Sequence, residues 1–120
     1  MHIAMLSGEY PPRWGGMGST VFHLAGALVK QGHRVTVITR RDKTVERNPQ
    51  SIPQQEGVSV LSVKWAPLPM AFTVSYGKWA LRELLRVHAR NPVDAVHVHA
   101  PMISWKEKQY RMVRERVGPV

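Results

Sequence analysis

The sequence predicts an α/β protein built on an open parallel sheet with helices on both faces. Short apolar or β-branched runs alternate along the chain with amphipathic stretches that repeat at helical spacing. The first helical stretch is separated from the next β-branched run by a turn of only a few residues, as in a βαβ unit. The 120 residues, 43% of them hydrophobic, suit one domain or part of one.

The first part of the chain predicts strand, helix and strand. Residues 2–6 form a nearly continuous apolar run, which is typical of a strand covered on both faces. From Ser19 the apolar residues recur at three- and four-residue steps as far as Val29, and Gly32 stands where a helix ends. The β-branched residues 34–39 then predict the second strand.

The rest of the chain continues the alternation. Residues 40–56 are polar and without period, so we expect a surface loop, and residues 57–63 predict a third strand. Residues 76–90 predict a helix, residues 94–99 a fourth strand, and residues 105–116 a further helix. Gly118-Pro119-Val120 resembles the start of a fifth strand, so we expect the chain to end within a fold.

Composition and charge narrow the function classes. The absence of cysteine excludes disulfides, thiolate metal sites and cysteine nucleophiles. The formal charge of +9 attracts anions, which include nucleotides, sugar phosphates, anionic lipids and nucleic acid. No apolar run approaches the ~20 residues of a membrane span, and no secretion signal is visible, so we expect a cytoplasmic protein.

The loops that follow Ser7, Thr39, Val63 and His99 are expected to share one edge of the sheet, where such folds bind ligands. The first of these loops carries Gly15, Gly16 and Gly18 before the helix. Glycine allows close backbone approach, and the N–H groups of a helix's first turn attract anions. We therefore favour anion binding over a plain turn, with Ser19 or Thr20 as the cap. The loop matches neither G-x-G-x-x-G nor a P-loop.

The fourth strand carries His97 and His99, whose side chains face the same side. His99, nearer the carboxyl end, can reach the ligand edge, while His97 is expected to be buried deeper. Such a pair can ligate a metal, but no third ligand stands nearby, and both can be structural. We favour a polar contact from His99 to a sugar hydroxyl or phosphate.

Other polar residues of the same edge have two open interpretations. Glu9 can accept hydrogen bonds from sugar hydroxyls or be a solvated loop acid. Arg13, beside the glycines, can pair with a phosphate or lie in solvent. For Arg40 and Arg41, after the second strand, a solvated charge pair is favoured over ligand contact.

Two helices are rich in basic residues. Such a row is usually a solvated face, which we favour, although a basic amphipathic helix can also lie on an anionic membrane. The residues concerned are Lys78, Arg82, Arg86 and Arg90 on one helix, and Lys106, Lys108, Arg111, Arg114 and Arg116 on the other.

Several segments, in the right order over nearly the whole chain, carry a family resemblance. They are Tyr10-Pro11-Pro12, Gly15-Gly16-Met17-Gly18, Val21, Leu24-Ala25, Leu28, Gly32-His33-Arg34-Val35-Thr36-Val37-Ile38-Thr39 and Asp94-Ala95-Val96-His97-Val98-His99. Together they resemble the N-terminal half of retaining GT-B glycosyltransferases of the glycogen-synthase-like, glycosyltransferase family 4 type.

The resemblance implies an enzyme of two Rossmann-like domains, of which residues 1–120 are the acceptor-side domain. Such an enzyme would transfer a sugar from a nucleotide diphosphate sugar to an acceptor hydroxyl. The donor diphosphate would bind at Gly15, Gly16, Met17 and Gly18. The acceptor, a sugar or a lipid-linked molecule, would contact Glu9, Tyr10 and His99.

The resemblance also implies further contacts and limits. Arg13, Arg82 and Arg86 would contact phosphate or the inner face of a membrane. No cofactor and no metal are implied. Ala100 stands where the family often has an acidic residue, which would alter the acceptor contacts. The resemblance implies a donor domain beyond these residues, so we expect the chain alone to be inactive.

A non-catalytic module that holds nucleic acid or an anionic membrane is the competing hypothesis. Few aromatic residues lie among the basic ones, and no nucleic-acid motif is present, so we expect no nucleic-acid partner.

Overall fold

A computed structural model describes residues 1–12, 15–41, 43–66, 71–99 and 103–120. Within these residues, four strands form one sheet in the order β3-β2-β1-β4, and every neighbouring pair is parallel. The strands are β1 (His2–Leu6), β2 (Arg34–Arg40), β3 (Val58–Val63) and β4 (Ala95–Val98). The helices are α1 (Gly16–Lys30), α2 (Lys43–Arg47), α3 (Phe72–Arg90) and α4 (Glu107–Arg116), with a 3-10 turn at Pro49–Ser51.

The predicted fold class is confirmed, because helices cover both faces of an open parallel sheet. On one face, Met5 of β1 and Val37 of β2 pack with Val21 and Ala25 of α1. On the other face, the core joins the sheet to α3 and α4 and includes Ala4, Leu6, Ile38, Val63, Tyr76, Ala80, Leu84, Val96 and Val113. None of the described helices is long and apolar enough to cross a membrane.

The sheet order creates a crevice beside β1. From β1 the chain moves to β2 and β3 on one side, and α3 then carries it back to β4 on the other side. Parallel sheets of this kind bind ligands where the direction of winding reverses, at the carboxyl ends of the strands. The winding reverses between β1 and β4. We call the region at the carboxyl ends of these two strands the β1–β4 edge.

Three element predictions were wrong in their bounds. Helix α1 begins at Gly16 rather than at Ser19 or Thr20, and α3 begins at Phe72 rather than at residue 76. The segment predicted as an unstructured loop at 40–56 contains the last residue of β2, α2 and the 3-10 turn. Only Val45 of α2 is buried, so the helix is too short and too polar to show a period.

The segment after α4 lies beside β4. The backbone N–H of Val96 donates to the carbonyl of Pro119 at 2.8 Å. Gly118 passes so close to Asp94 that an added Cβ would come within 2.7 Å of the Asp94 carbonyl oxygen. Residues 118–120 therefore begin to pair as expected, although they are not part of a regular strand.

Candidate functional site at the β1–β4 edge

The loop that follows β1 is fixed by backbone and side-chain hydrogen bonds. The fully buried Ser7 donates its hydroxyl to the Glu9 carbonyl at 2.7 Å, and its backbone N–H bonds the Ile38 carbonyl at 3.1 Å. The next carbonyl, that of Gly8, accepts a bond of 2.7 Å from Nε of Arg40. The start of the loop is therefore held by hydrogen bonds to two residues of β2, Ile38 and Arg40.

Arg40 is a structural residue of this edge. Its guanidinium carbon lies 4.7 Å from the ring centroid of Trp65 and 4.3 Å from that of Phe72. Such contacts with aromatic rings stabilise a cation that is partly shielded from water, as half-buried Arg40 is. The expectation of a solvated charge at Arg40 was therefore wrong. The pairing of β2 with β3 puts Arg40 near Trp65, and this pairing is not visible in the sequence around Arg40.

Helix α1 presents its N-terminus at this edge. The chain enters the helix through Gly15, whose backbone is extended and which acts as the N-cap without a side-chain hydrogen bond. The capping expected from Ser19 or Thr20 was wrong, since both residues lie inside the helix and the Thr20 hydroxyl donates back to the Gly16 carbonyl. A helix leaves the N–H groups of its first turn without a helical partner. In α1 these belong to Gly16, Met17 and Gly18.

The two glycines at the start of α1 have different surroundings. An ideal Cβ on Gly15 would lie 1.9 Å from Oε1 of Glu9, whereas a Cβ on Gly16 would meet nothing within 4 Å. Positive φ angles occur at Gly32 and Gly57 among the described glycines, so the α1 start does not need left-handed backbone. A Cβ at Gly15 would displace the end of the Glu9 side chain, whereas Gly16 leaves open space in front of the helix.

His99 lies at the same edge on the same face of the sheet. Its backbone N–H donates to the Leu6 carbonyl at 2.9 Å, so β4 continues beside β1 up to this residue. His97 is paired in register with Met5, which faces α1, and His99 is two residues further on and faces the same way. The histidines and the α1 N-terminus therefore lie on one side of the sheet.

The environment of His99 favours its neutral form. Burial, and then the nearby His97, lower the pKa of His99 from its ordinary value of 6.5. The two rings lie 4.2 Å apart between centroids. Among the described residues, Nε2 of His99 is buried without a hydrogen-bond partner. His97 is the exposed member of the pair, so the expectation that it lies deeper was wrong.

Other residues named from the sequence lie elsewhere or outside the described residues. Tyr10 is only 4% exposed, packs against Phe22 and donates its hydroxyl to Gln55, and burial raises its pKa to about 12. Its side chain belongs to the core. Arg13 and Ala100 are outside the described residues. Arg82 and Arg86 lie on α3, which packs on the face of the sheet opposite to α1. No group of three metal-ligating side chains occurs among the residues described.

The fold is that of a Rossmann-like domain, in which the start of α1 and His99 follow the carboxyl ends of the neighbouring parallel strands β1 and β4. Residues 14–114 match the profile described as Glycosyltransferase Family 4, and the chain belongs to that family. The chain is also 34% identical over 114 residues to glycogen synthase from Mycobacterium tuberculosis, in each of the strains CDC 1551 and H37Rv. The alignment covers 82% of this chain and 28% of each relative, so the chain spans little more than a quarter of their length. The resemblance to glycogen-synthase-like members of glycosyltransferase family 4 is thereby confirmed.

Proposed function

We propose that this chain is the N-terminal, acceptor-side domain of a retaining glycosyltransferase with the two-domain GT-B fold. The enzyme would transfer a glycosyl group from a nucleotide diphosphate sugar to an acceptor hydroxyl. Membership of Glycosyltransferase Family 4 and similarity to a glycogen synthase support the transfer of a sugar. One observation supports the site most strongly, namely that the N-terminus of α1 and His99 lie on the same face at the β1–β4 edge.

One group of residues at this edge would bind the donor, and another would bind the acceptor. The backbone N–H groups of Gly16, Met17 and Gly18, with Gly15 before them, would bind the donor diphosphate, because a helix N-terminus favours negative charge. The open space in front of Gly16 leaves room for phosphate oxygens.

Glu9 and His99 would contact sugar hydroxyls. The Glu9 carboxylate lies against Gly15 and can accept hydrogen bonds, although its charge opposes that of a diphosphate. We therefore assign Glu9 to the acceptor. The neutral His99 has a buried Nε2 available for one polar contact to a sugar hydroxyl or a phosphate.

The transfer itself would require a second domain. Electrostatic stabilisation of a departing nucleoside diphosphate works best in a closed, water-poor cleft. Since this chain spans 28% of its curated relatives, we propose that the remaining length of such an enzyme holds most of the donor. Residues 1–120 alone would then bind ligand without turnover.

Binding of a nucleoside diphosphate to the chain tests this proposal. UDP and ADP are titrated separately while backbone amide NMR signals are recorded. We expect the largest shifts at residues 15–18 and 99. Gly16→Leu should raise the Kd at least tenfold, because its side chain fills the space in front of α1. The matched control is Ala27→Leu, which adds the same side chain at an exposed position of the same helix.

Equal affinities of the two variants would contradict the diphosphate role of Gly16. A steep fall of affinity with salt for a nucleic-acid oligomer, with no binding of either nucleotide, would instead support the competing binding module.

A further inference from the structure

A second basic site lies away from the β1–β4 edge, between the carboxyl ends of β2 and β3 and the side of α3. It is a cavity of about 310 Å³. The side chains that matter for its chemistry are Arg41, Ser62, Lys64, Trp79, Arg82 and Arg86. We call it the α3 pocket. It shares no residue with the proposed transfer site.

The charge of the α3 pocket is strongly positive. Four cationic side chains line it, and one carboxylate, that of Glu83, accompanies them. Glu83 lies 3.3 Å from the guanidinium of Arg86, whose side chain is 64% exposed. The Glu83 side chain is only 23% exposed, but because the Arg86 end is in solvent the pair contributes modestly. The pocket therefore retains an excess of positive charge for an anionic ligand.

Two of the cations are positioned by contacts within the pocket. Arg41 donates from Nη2 to the Ser62 carbonyl at 3.2 Å, and the indole of Trp65 donates to the Arg41 carbonyl. The Arg82 guanidinium carbon lies 5.0 Å from the ring centroid of Trp79. Less side-chain entropy is lost on binding when the donors are held in advance.

The wall of the pocket is partly aromatic. Trp79 is half-buried, and the Lys64 ammonium lies 5.9 Å from its ring centroid. An indole offers an apolar surface beside the charged groups. An arginine guanidinium can bind two phosphoryl oxygens at once with two parallel hydrogen bonds. A basic helix face that is merely solvated has no need of arginine for this geometry. The volume is at the lower end of the range for small-molecule sites.

We propose that the α3 pocket binds a phosphoryl group carried by a small soluble molecule, with a sugar phosphate as the fitting class. The arginines bind the phosphoryl oxygens, and Trp79 contacts the carrier. This site is independent of the proposed transfer reaction, because its residues lie on α3 and on the ends of β2 and β3. It assigns to Arg82 and Arg86 a ligand other than a membrane.

The test is a titration of the chain with glucose 1-phosphate, inorganic phosphate and glucose. The indole N–H signal of Trp79 in the NMR spectrum reports the site. We expect this signal to shift with both phosphates and not with glucose. Arg82→Gln should weaken glucose 1-phosphate binding about tenfold, whereas Arg90→Gln should leave it unchanged. Arg90 is the matched control, since it is an exposed arginine of the same helix outside the pocket.

Two further arms separate the sources of the phosphoryl group and the sites. Vesicles of phosphatidylglycerol are compared with vesicles of phosphatidylcholine, and Gly16→Leu is titrated with glucose 1-phosphate. We expect no sedimentation with either vesicle and normal binding by Gly16→Leu. The proposal is overturned by equal weakening in Arg82→Gln and Arg90→Gln, or by the absence of any Trp79 shift. It is also overturned if Arg82 is needed only for binding to anionic vesicles.

Discussion

Replacement of Arg40 by lysine should destabilise the protein although the charge is kept. Arg40 contacts Trp65 and Phe72 with its guanidinium and bonds the Gly8 carbonyl through Nε. Each cation–π contact is worth roughly 0.5–1 kcal/mol, and a charge-assisted hydrogen bond roughly 1.5–3 kcal/mol. A lysine ammonium cannot lie flat against both rings while it donates to Gly8. Because such contacts are not additive, we expect a net loss of about 2–3 kcal/mol.

Urea unfolding followed by circular dichroism measures this loss as a change of the midpoint at constant slope. The matched control is Arg34→Lys, at the exposed start of the same strand, for which we expect less than about 0.5 kcal/mol. Arg40→Lys should also shift the amide signals of residues 8 and 15–18, since the loop before α1 loses its anchor. An Arg40→Lys protein as stable as Arg34→Lys, with unchanged loop signals, would refute the reasoning.

Three other changes test the site and the core. Glu9→Gln removes a charge that lies against Gly15, so we expect UDP to bind about two- to fivefold more tightly in calorimetry, and unchanged affinity would argue against a diphosphate there. The pKa of His99 is lowered, so the folded chain resists protonation while the unfolded chain accepts a proton below pH 6.5. Its contribution to stability is therefore lost as the pH falls from 7 towards 5, and the urea midpoint of His99→Gln should fall less over this range. Tyr76→Phe removes the bond to the Ile38 carbonyl, which keeps a second backbone bond, so a loss of about 1 kcal/mol in urea unfolding is expected, and more than about 3 kcal/mol would contradict this account.

The order of strands and helices could be predicted because each strand is a short run of apolar or β-branched residues. The start of α1 could not, because Gly16 and Gly18 add nothing to the apolar period that marks the rest of the helix. In α2 the burial of Val45 alone gives no repeat at all. Periodicity therefore located the well-packed middle of each long element and missed the ends and the short helix.

The neighbourhood of the two candidate segments was predicted, while their function stays a prediction. The topology rule placed the glycine loop and His99 on one edge, and the pairing of β1 with β4 confirms that the two loops are neighbours. The roles of individual side chains depend on contacts between distant segments. The sequence alone does not show that Arg40 meets Phe72, or that Gly15 touches Glu9. Likewise, the exposure of His97 depends on which elements pack over that part of the sheet. Its alternation with Val96 and Val98 does not reveal this.

The pairing of β1 with β4 also has a consequence for the folding pathway. The backbone N–H of His2 donates to Asp94, and the N–H of Asp94 donates to the His2 carbonyl, so these bonds join residues at nearly opposite ends of the chain. Contacts so distant in sequence cost the most loop-closure entropy and form slowly. The local pairing of β1 with β2 can form well before them. We therefore expect the crevice between β1 and β4 to be among the last regions of the sheet to assemble.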